Sequence, residues 1–179
     1  MSLEPKPGAA EALLLIDLQV DFLSANGRLP IDQGQVDALL QTSRRAVEEA
    51  RANGWPIVAI VNEFGRWDPL NVFRNFASLK GSAGAAWDPR APQERDALFA
   101  KNQPDSFSNP GLGLWLAERG IKRVRLLGVK AGACVTATAK SALKRGLEVV
   151  LLGQGIGCNS EGSRRRALGK LERVGARVV

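Results

Sequence analysis

Histidine and tyrosine are both absent from this chain of 179 residues, which also has one methionine and two cysteines. Without histidine there is no Ser–His or Cys–His pair, so carboxylates and lysines are the main bases left for any nucleophile. Two cysteines and no histidine are too few ligands for a structural zinc site. No spaced cluster of Asp and Glu suggests a hard-cation site. No metal and no cofactor are therefore expected. The longest apolar runs, such as ALLLI and VVLL, are far too short to cross a bilayer, so no membrane partner is expected. The opening MSLEPKPGAAEA lacks the basic and apolar regions of an export leader. A cytoplasmic location with free thiols is the expectation. Residues 1–10 read as a flexible tail on a single domain spanning 1–179.

What is present fits a packed α/β domain. Apolar residues make up 45% of the chain, enough for a full core. The net charge of +7 comes from basic residues scattered over helix faces and C-terminal turns. Such a surface attracts anionic small molecules. It lacks a basic stripe interleaved with aromatics, so nucleic acid is not an expected partner. Apolar runs at 12–17, 56–61, 97–101, 124–129, 147–152 and 176–179 read as strands. Helical patterns fall at 36–54, 110–120, 134–146 and 160–175, each ending on a glycine. Residues 62–96 read as a long irregular segment. Uninterrupted apolar strands alternating with helices predict a three-layer α/β/α sandwich around a six-stranded, mostly parallel sheet.

In such sheets ligands bind beyond the carboxyl ends of the strands. Asp17 ends the first strand, Lys101 the third, and Cys134 follows the fourth where a helix begins. Taken singly, each has a plain structural reading: a turn cap, a solvated lysine, a small buried hydrophobe. Together they place an acid, a base and a thiol at one sheet edge. A helix N-terminus and a nearby ammonium favour a thiolate, and a buried aspartate with a raised pKa can accept the thiol proton. Arg66, Trp67 and Arg74 follow the second strand, on a segment expected to roof the site. They suit a small polar or anionic substrate, or equally a subunit interface; a homo-oligomer, dimer or tetramer, is expected.

Four stretches in this order, ALLLIDLQVDFL, KGSAGAAWDPR, FAKNQPDSF and GVKAGACVTATAKSALKRG, resemble the isochorismatase-like cysteine hydrolase superfamily. That group includes nicotinamidases, N-carbamoylsarcosine amidohydrolase and isochorismatase. The resemblance implies a catalytic triad at Asp17, Lys101 and Cys134. It implies an oxyanion hole from the backbone N–H groups of Lys130 and Cys134, a cis peptide at Val129–Lys130, and Phe22 in the pocket wall. The implied reaction is hydrolysis of a small amide, ureido or related C–N substrate through a thioester. Nicotinamidases hold a metal through Asp and His, where this chain has Glu63 and Gly65.

Two other readings stay open. Many relatives carry Thr-Asp where this chain has Ala131-Gly132, which allows a degenerate, non-hydrolytic module that only binds a small molecule. The stretch VVLLGQGIGCNSEGS also approaches a dinucleotide fingerprint through Gly153, Gly155 and Gly157, with Cys158 where a third glycine belongs. Its plainer reading is a glycine-rich turn opening the last helix, with Ser160 as its cap.

Overall fold

The computed structural model describes residues 11–179; the expected tail at 1–10 lies outside the described residues. In chain order the elements are β1 (Glu11–Ile16), α1 (Val20–Leu23), α2 (Val36–Asn53), β2 (Ile57–Asn62), β3 (Ala97–Lys101), α3 (Pro110–Glu118), β4 (Arg123–Val129), α4 (Thr136–Lys144), β5 (Glu148–Gly157), α5 (Glu161–Arg173) and β6 (Arg177–Val178). The strands form one six-stranded sheet in the order β3-β2-β1-β4-β5-β6. Every pairing is parallel. The chain order reverses between β1 and β4, and an open sheet wound in both directions leaves a crevice at that point, beyond the strand ends.

The apolar runs become strands because both of their faces are covered. Along β1 and β2, alternate residues enter opposite cores. Leu13, Leu15 and Ile57 pack with Leu39, Leu40, Val47 and Ala50 of α2. Leu14, Ile16, Val58 and Ile60 pack with Leu112 and Leu116 of α3, Ala139 and Ala142 of α4, and Leu171 of α5. The three-layer sandwich follows: α2 on one face, α3, α4 and α5 on the other. Helix ends obey local chemistry. Gly54, at φ 70°, closes α2 by donating its N–H to the carbonyls of Ala50 and Arg51. Asn109 caps α3, with Pro110 in the first turn. Ser160 caps α5 through the Ser163 N–H.

Two elements depart from the sequence reading. β5 does not end at residue 152 but continues to Gly157. The stretch read as a glycine-rich turn, and as a dinucleotide fingerprint, is therefore strand and not a phosphate-cradling loop. Its glycines serve packing: a Cβ at Gly155 would come within 3.0 Å of Leu127 and of Thr42. Second, the helix expected from residue 134 is preceded by a wide π-type turn over Ala131–Val135, and α4 starts only at Thr136. The Thr136 hydroxyl donates to the Ala131 carbonyl at 2.6 Å across that turn. Among the described residues no helix is long and apolar enough to cross a membrane.

Candidate active site

Four chain segments meet at the crevice. Asp17 leaves β1 with φ 55°, a left-handed conformation costly for a residue with a side chain, and its N–H donates to the Ile60 carbonyl at 2.9 Å. Lys101 ends β3 and Asn62 ends β2, paired in register with each other. Gly128, at φ 128°, sits where β4 presses on β1, and a Cβ there would collide with the Ile16 carbonyl. The peptide that follows it by one residue, Val129–Lys130, is cis, and the chain then turns through Ala131–Val135, which presents Cys134.

Asp17 is wholly buried and Lys101 is 4% exposed. The Lys101 Nζ donates to Asp17 Oδ2 at 3.0 Å and reaches Cys134 Sγ at 3.4 Å. Asn62 completes the cluster. Its Nδ2 donates to Asp17 Oδ2 at 2.8 Å and approaches Cys134 Sγ at 3.7 Å, while its Oδ1 accepts from Lys101 Nζ at 2.7 Å. Gln19, also wholly buried, grips the Asn62 backbone at both ends. Its Oε1 accepts from the Asn62 N–H and its Nε2 donates to the Asn62 carbonyl, both at 2.8 Å. The other Asp17 oxygen, Oδ1, is buried without a fixed hydrogen-bond partner, and the Cys134 thiol lies within reach of this carboxylate.

The charges follow from burial and contact. Burial raises the Asp17 carboxyl above its ordinary value, and the Lys101 charge and the bonds from Cys134 and Asn62 do not fully offset it. Burial acts to lower the Lys101 ammonium, but Asp17 and Cys134 together outweigh it and leave it raised. Burial and the Asp17 charge push the Cys134 thiol up to about 12, against the pull of Lys101. Burial and the Asp17 charge thus oppose a thiolate at Cys134, while Lys101 and Asn62 favour it.

Above the cluster is a pocket of about 160 Å³, close to the roughly 150 Å³ of a cavity that accepts benzene. Phe22, Leu29, Phe64, Ala77, Pro104 and Val129 give it apolar walls, while Asp17, Asn62, Arg74, Lys130 and Cys134 supply its polar groups. The structure thus brings Asp17, Lys101, Cys134, Lys130, Phe22 and Arg74 to one place. Arg74 stacks 4.0 Å over the Phe64 ring and pairs with Asp68 at 2.6 Å. Arg66 and Trp67 are not in the wall; both are exposed, Trp67 by 91%. Asn62 and Gln19 were missed by the sequence reading. Their signal is a polar residue at the carboxyl end of an apolar strand, and another just after Asp17 in LLLIDLQ.

The donors present do not fit a divalent ion of the nicotinamidase kind. Glu63 is drawn to Lys80 at 3.6 Å, Gly65 offers no side chain, and no three Cys, Asp or Glu side chains gather among the described residues. The Isochorismatase domain family matches residues 11–179. The chain belongs to the isochorismatase family. It is 30% identical over 145 residues to a secreted isochorismatase effector of Verticillium dahliae, covering 81% of this chain and 71% of that one. It is 30% identical over 144 residues to a streptothricin hydrolase of Streptomyces noursei, covering 79% of this chain but only 52%, about half, of that one. An isochorismatase-like hydrolase from Alkaliphilus metalliredigens superposes with a TM-score of 0.86 at 25% identity over 94% of each chain. This protein is an isochorismatase-family hydrolase with the six-stranded parallel α/β fold that its structural neighbours share.

Proposed function

We propose that the protein hydrolyses a small amide, ureido or related C–N substrate, with Cys134 as nucleophile and a thioester as intermediate. The observation that carries this reading is the closed contact set of Asp17, Lys101, Asn62 and Cys134 at the floor of a ring-sized pocket. A similar protein named streptothricin hydrolase supports the hydrolytic class.

The thiol begins protonated. As a substrate carbonyl settles over Sγ, the proton passes to Asp17 Oδ1, the oxygen with no other partner, and sulfur bonds to the carbonyl carbon. The carbonyl oxygen becomes an oxyanion, held by the backbone N–H groups of Lys130 and Cys134. One such donor is worth about 3 kcal/mol of barrier. Collapse reforms the carbonyl and breaks the C–N bond, and Asp17 hands its proton to the departing nitrogen. Water then attacks the thioester, losing its proton to Asp17. The acid leaves, and the proton returns to sulfur. Throughout, Lys101 keeps its charge beside Asp17, so the carboxylate stays in place and ionised between transfers.

The raised Asp17 suits this cycle better than an ordinary carboxylate, because a stronger base takes the thiol proton more readily. The test is a panel of small amides and ureides against wild type and Cys134→Ala. Turnover that disappears with the thiol supports the reading. A binding module would turn over nothing while still binding members of the panel, and turnover that survives Cys134→Ala would refute the nucleophile.

A further inference from the structure

Lys130 is one of the residues that line the pocket. Its ammonium has no carboxylate within ion-pair distance among the described residues. Its one hydrogen bond is a long one, 3.4 Å to the Pro30 carbonyl. The other basic side chains at the site are already matched: Lys101 by Asp17 at 3.0 Å and Arg74 by Asp68 at 2.6 Å. A half-buried ammonium without a counter-charge is destabilised by lost hydration, and burial does lower this group's affinity for its proton. A ligand that brings a negative charge restores the balance. Arg74 adds a second positive edge to the same small volume. It is planar, it is stacked on Phe64, and it keeps N–H groups beyond those used by Asp68.

We propose that the substrate carries a carboxylate next to its scissile C–N group, and that the Lys130 ammonium is the residue that selects it. The assignment rests on the acyl-transfer reading of the same pocket and adds to it the class of substrate. Geometry also gives Lys130 a place in both parts of recognition. In the acyl-transfer reading its N–H meets the reacting carbonyl while its ammonium meets the acid group, which would put the acid and the amide a few bonds apart. The substrate is then a compact acid-amide, of a size set by the cavity of about 160 Å³.

The test uses matched pairs: succinamate against succinamide, and 2-carbamoylbenzoate against phthalamide. Equilibrium binding to the full-length protein by calorimetry comes first, because it does not depend on hydrolysis. Wild type should bind the acid of a pair at least about tenfold more tightly than the diamide, a difference of about 1.4 kcal/mol. Lys130→Met should abolish that preference, and Lys130→Arg should keep most of it. Raising salt should weaken the acid and leave the diamide nearly unmoved. Equal binding of acid and diamide, no binding of either at millimolar concentration, or a preference that survives Lys130→Met would each overturn the assignment. Turnover is read separately, as the ratio of kcat/KM for acid over diamide. Binding preference without turnover would refute the acyl-transfer chemistry and leave the anion assignment standing.

Discussion

The floor and the roof of the site are built in opposite ways. The floor is made of strand ends. Asp17, Asn62 and Lys101 are each under 5% exposed, and each is tied to the others by bonds of 2.7 to 3.0 Å. The roof is the long connection after β2, whose only regular pieces between residues 63 and 96 are single turns at Pro69–Val72 and Ala83–Ala85. It turns Phe64, Arg74 and Ala77 inward and leaves Trp67, Val72 and Phe73 more than two-thirds exposed. A floor fixed by the sheet can hold reacting groups to a few tenths of an ångström, as proton transfer and nucleophilic attack require. The roof is held by its own turns and, near its C-terminal part, by the Gln19 amide, which donates to the Ala85 carbonyl at 2.7 Å. In the proposed reading the chemistry belongs to the first region and the choice of substrate to the second and to Lys130.

That division can be broken by substitution, and the largest effects belong on the floor. Cys134→Ala should lower kcat roughly ten-thousandfold or more, Asp17→Asn should cost nearly as much, and the double variant should be little worse than either, because the groups act as one unit. Steady-state kinetics on any amide that is turned over decides this. Additive losses would show that the two residues work independently. Next comes Asn62→Ala. It removes the amide that spaces Asp17 from Lys101, and a misplacement of about 1 Å is enough to lower kcat by roughly a hundredfold. It also leaves buried groups without partners, which should cost about 1–3 kcal/mol in denaturant unfolding. Stability lost without any change in kcat would reduce Asn62 to a structural tie.

The pH profile sharpens the same contrast. Asp17 acts as its charged form, so activity is present above its pKa and falls as pH drops through it. Because burial raises that value, the acid limb of kcat/KM should lie at higher pH than an ordinary aspartate would place it. Lys101 must stay charged, and its raised value keeps it so past pH 10. No limb can come from histidine, since the chain has none. The smallest effects are expected at the outer roof. Arg66→Ala and Trp67→Ala should change kcat/KM by less than about twofold, in the range of surface substitutions away from a site. A tenfold loss from either would mean that the roof closes on the substrate further than this structure shows.

Much of the floor was legible in the sequence. Strands buried on both faces read as bare apolar runs, and a polar residue at the end of such a run has little reason to be there except to meet a partner. That logic found Asp17 and Lys101. It passed over Asn62 because β2 was ended one residue early, an error that turned a strand-end residue into the first residue of a loop. The β5 boundary differs for a related reason: Gly153, Gly155 and Gly157 look like turn residues, yet Gly155 and Gly157 let α2 and β4 side chains close on β5, and Gly153 lies against Val178 of β6 and Leu168 of α5. The roof was barely legible. No periodicity governs residues 62–96, so the sequence could not say that Arg74 turns in to stack on Phe64 while Arg66 and Trp67 turn out. Nor could it show that burial and the nearby Asp17 charge together push the Cys134 thiol up.

The central claim is that Cys134 becomes acylated during turnover. The direct measurement is intact-protein mass spectrometry of enzyme quenched in acid while it is hydrolysing a good amide substrate. A mass increase equal to the acyl part of that substrate should appear, map to the peptide containing Cys134, vanish on treatment with neutral hydroxylamine, and be absent from Cys134→Ala but present in Cys158→Ala. A turning-over enzyme that shows no adduct under rapid quench, and whose Cys134→Ala variant hydrolyses the same amide at the wild-type rate, would contradict the account.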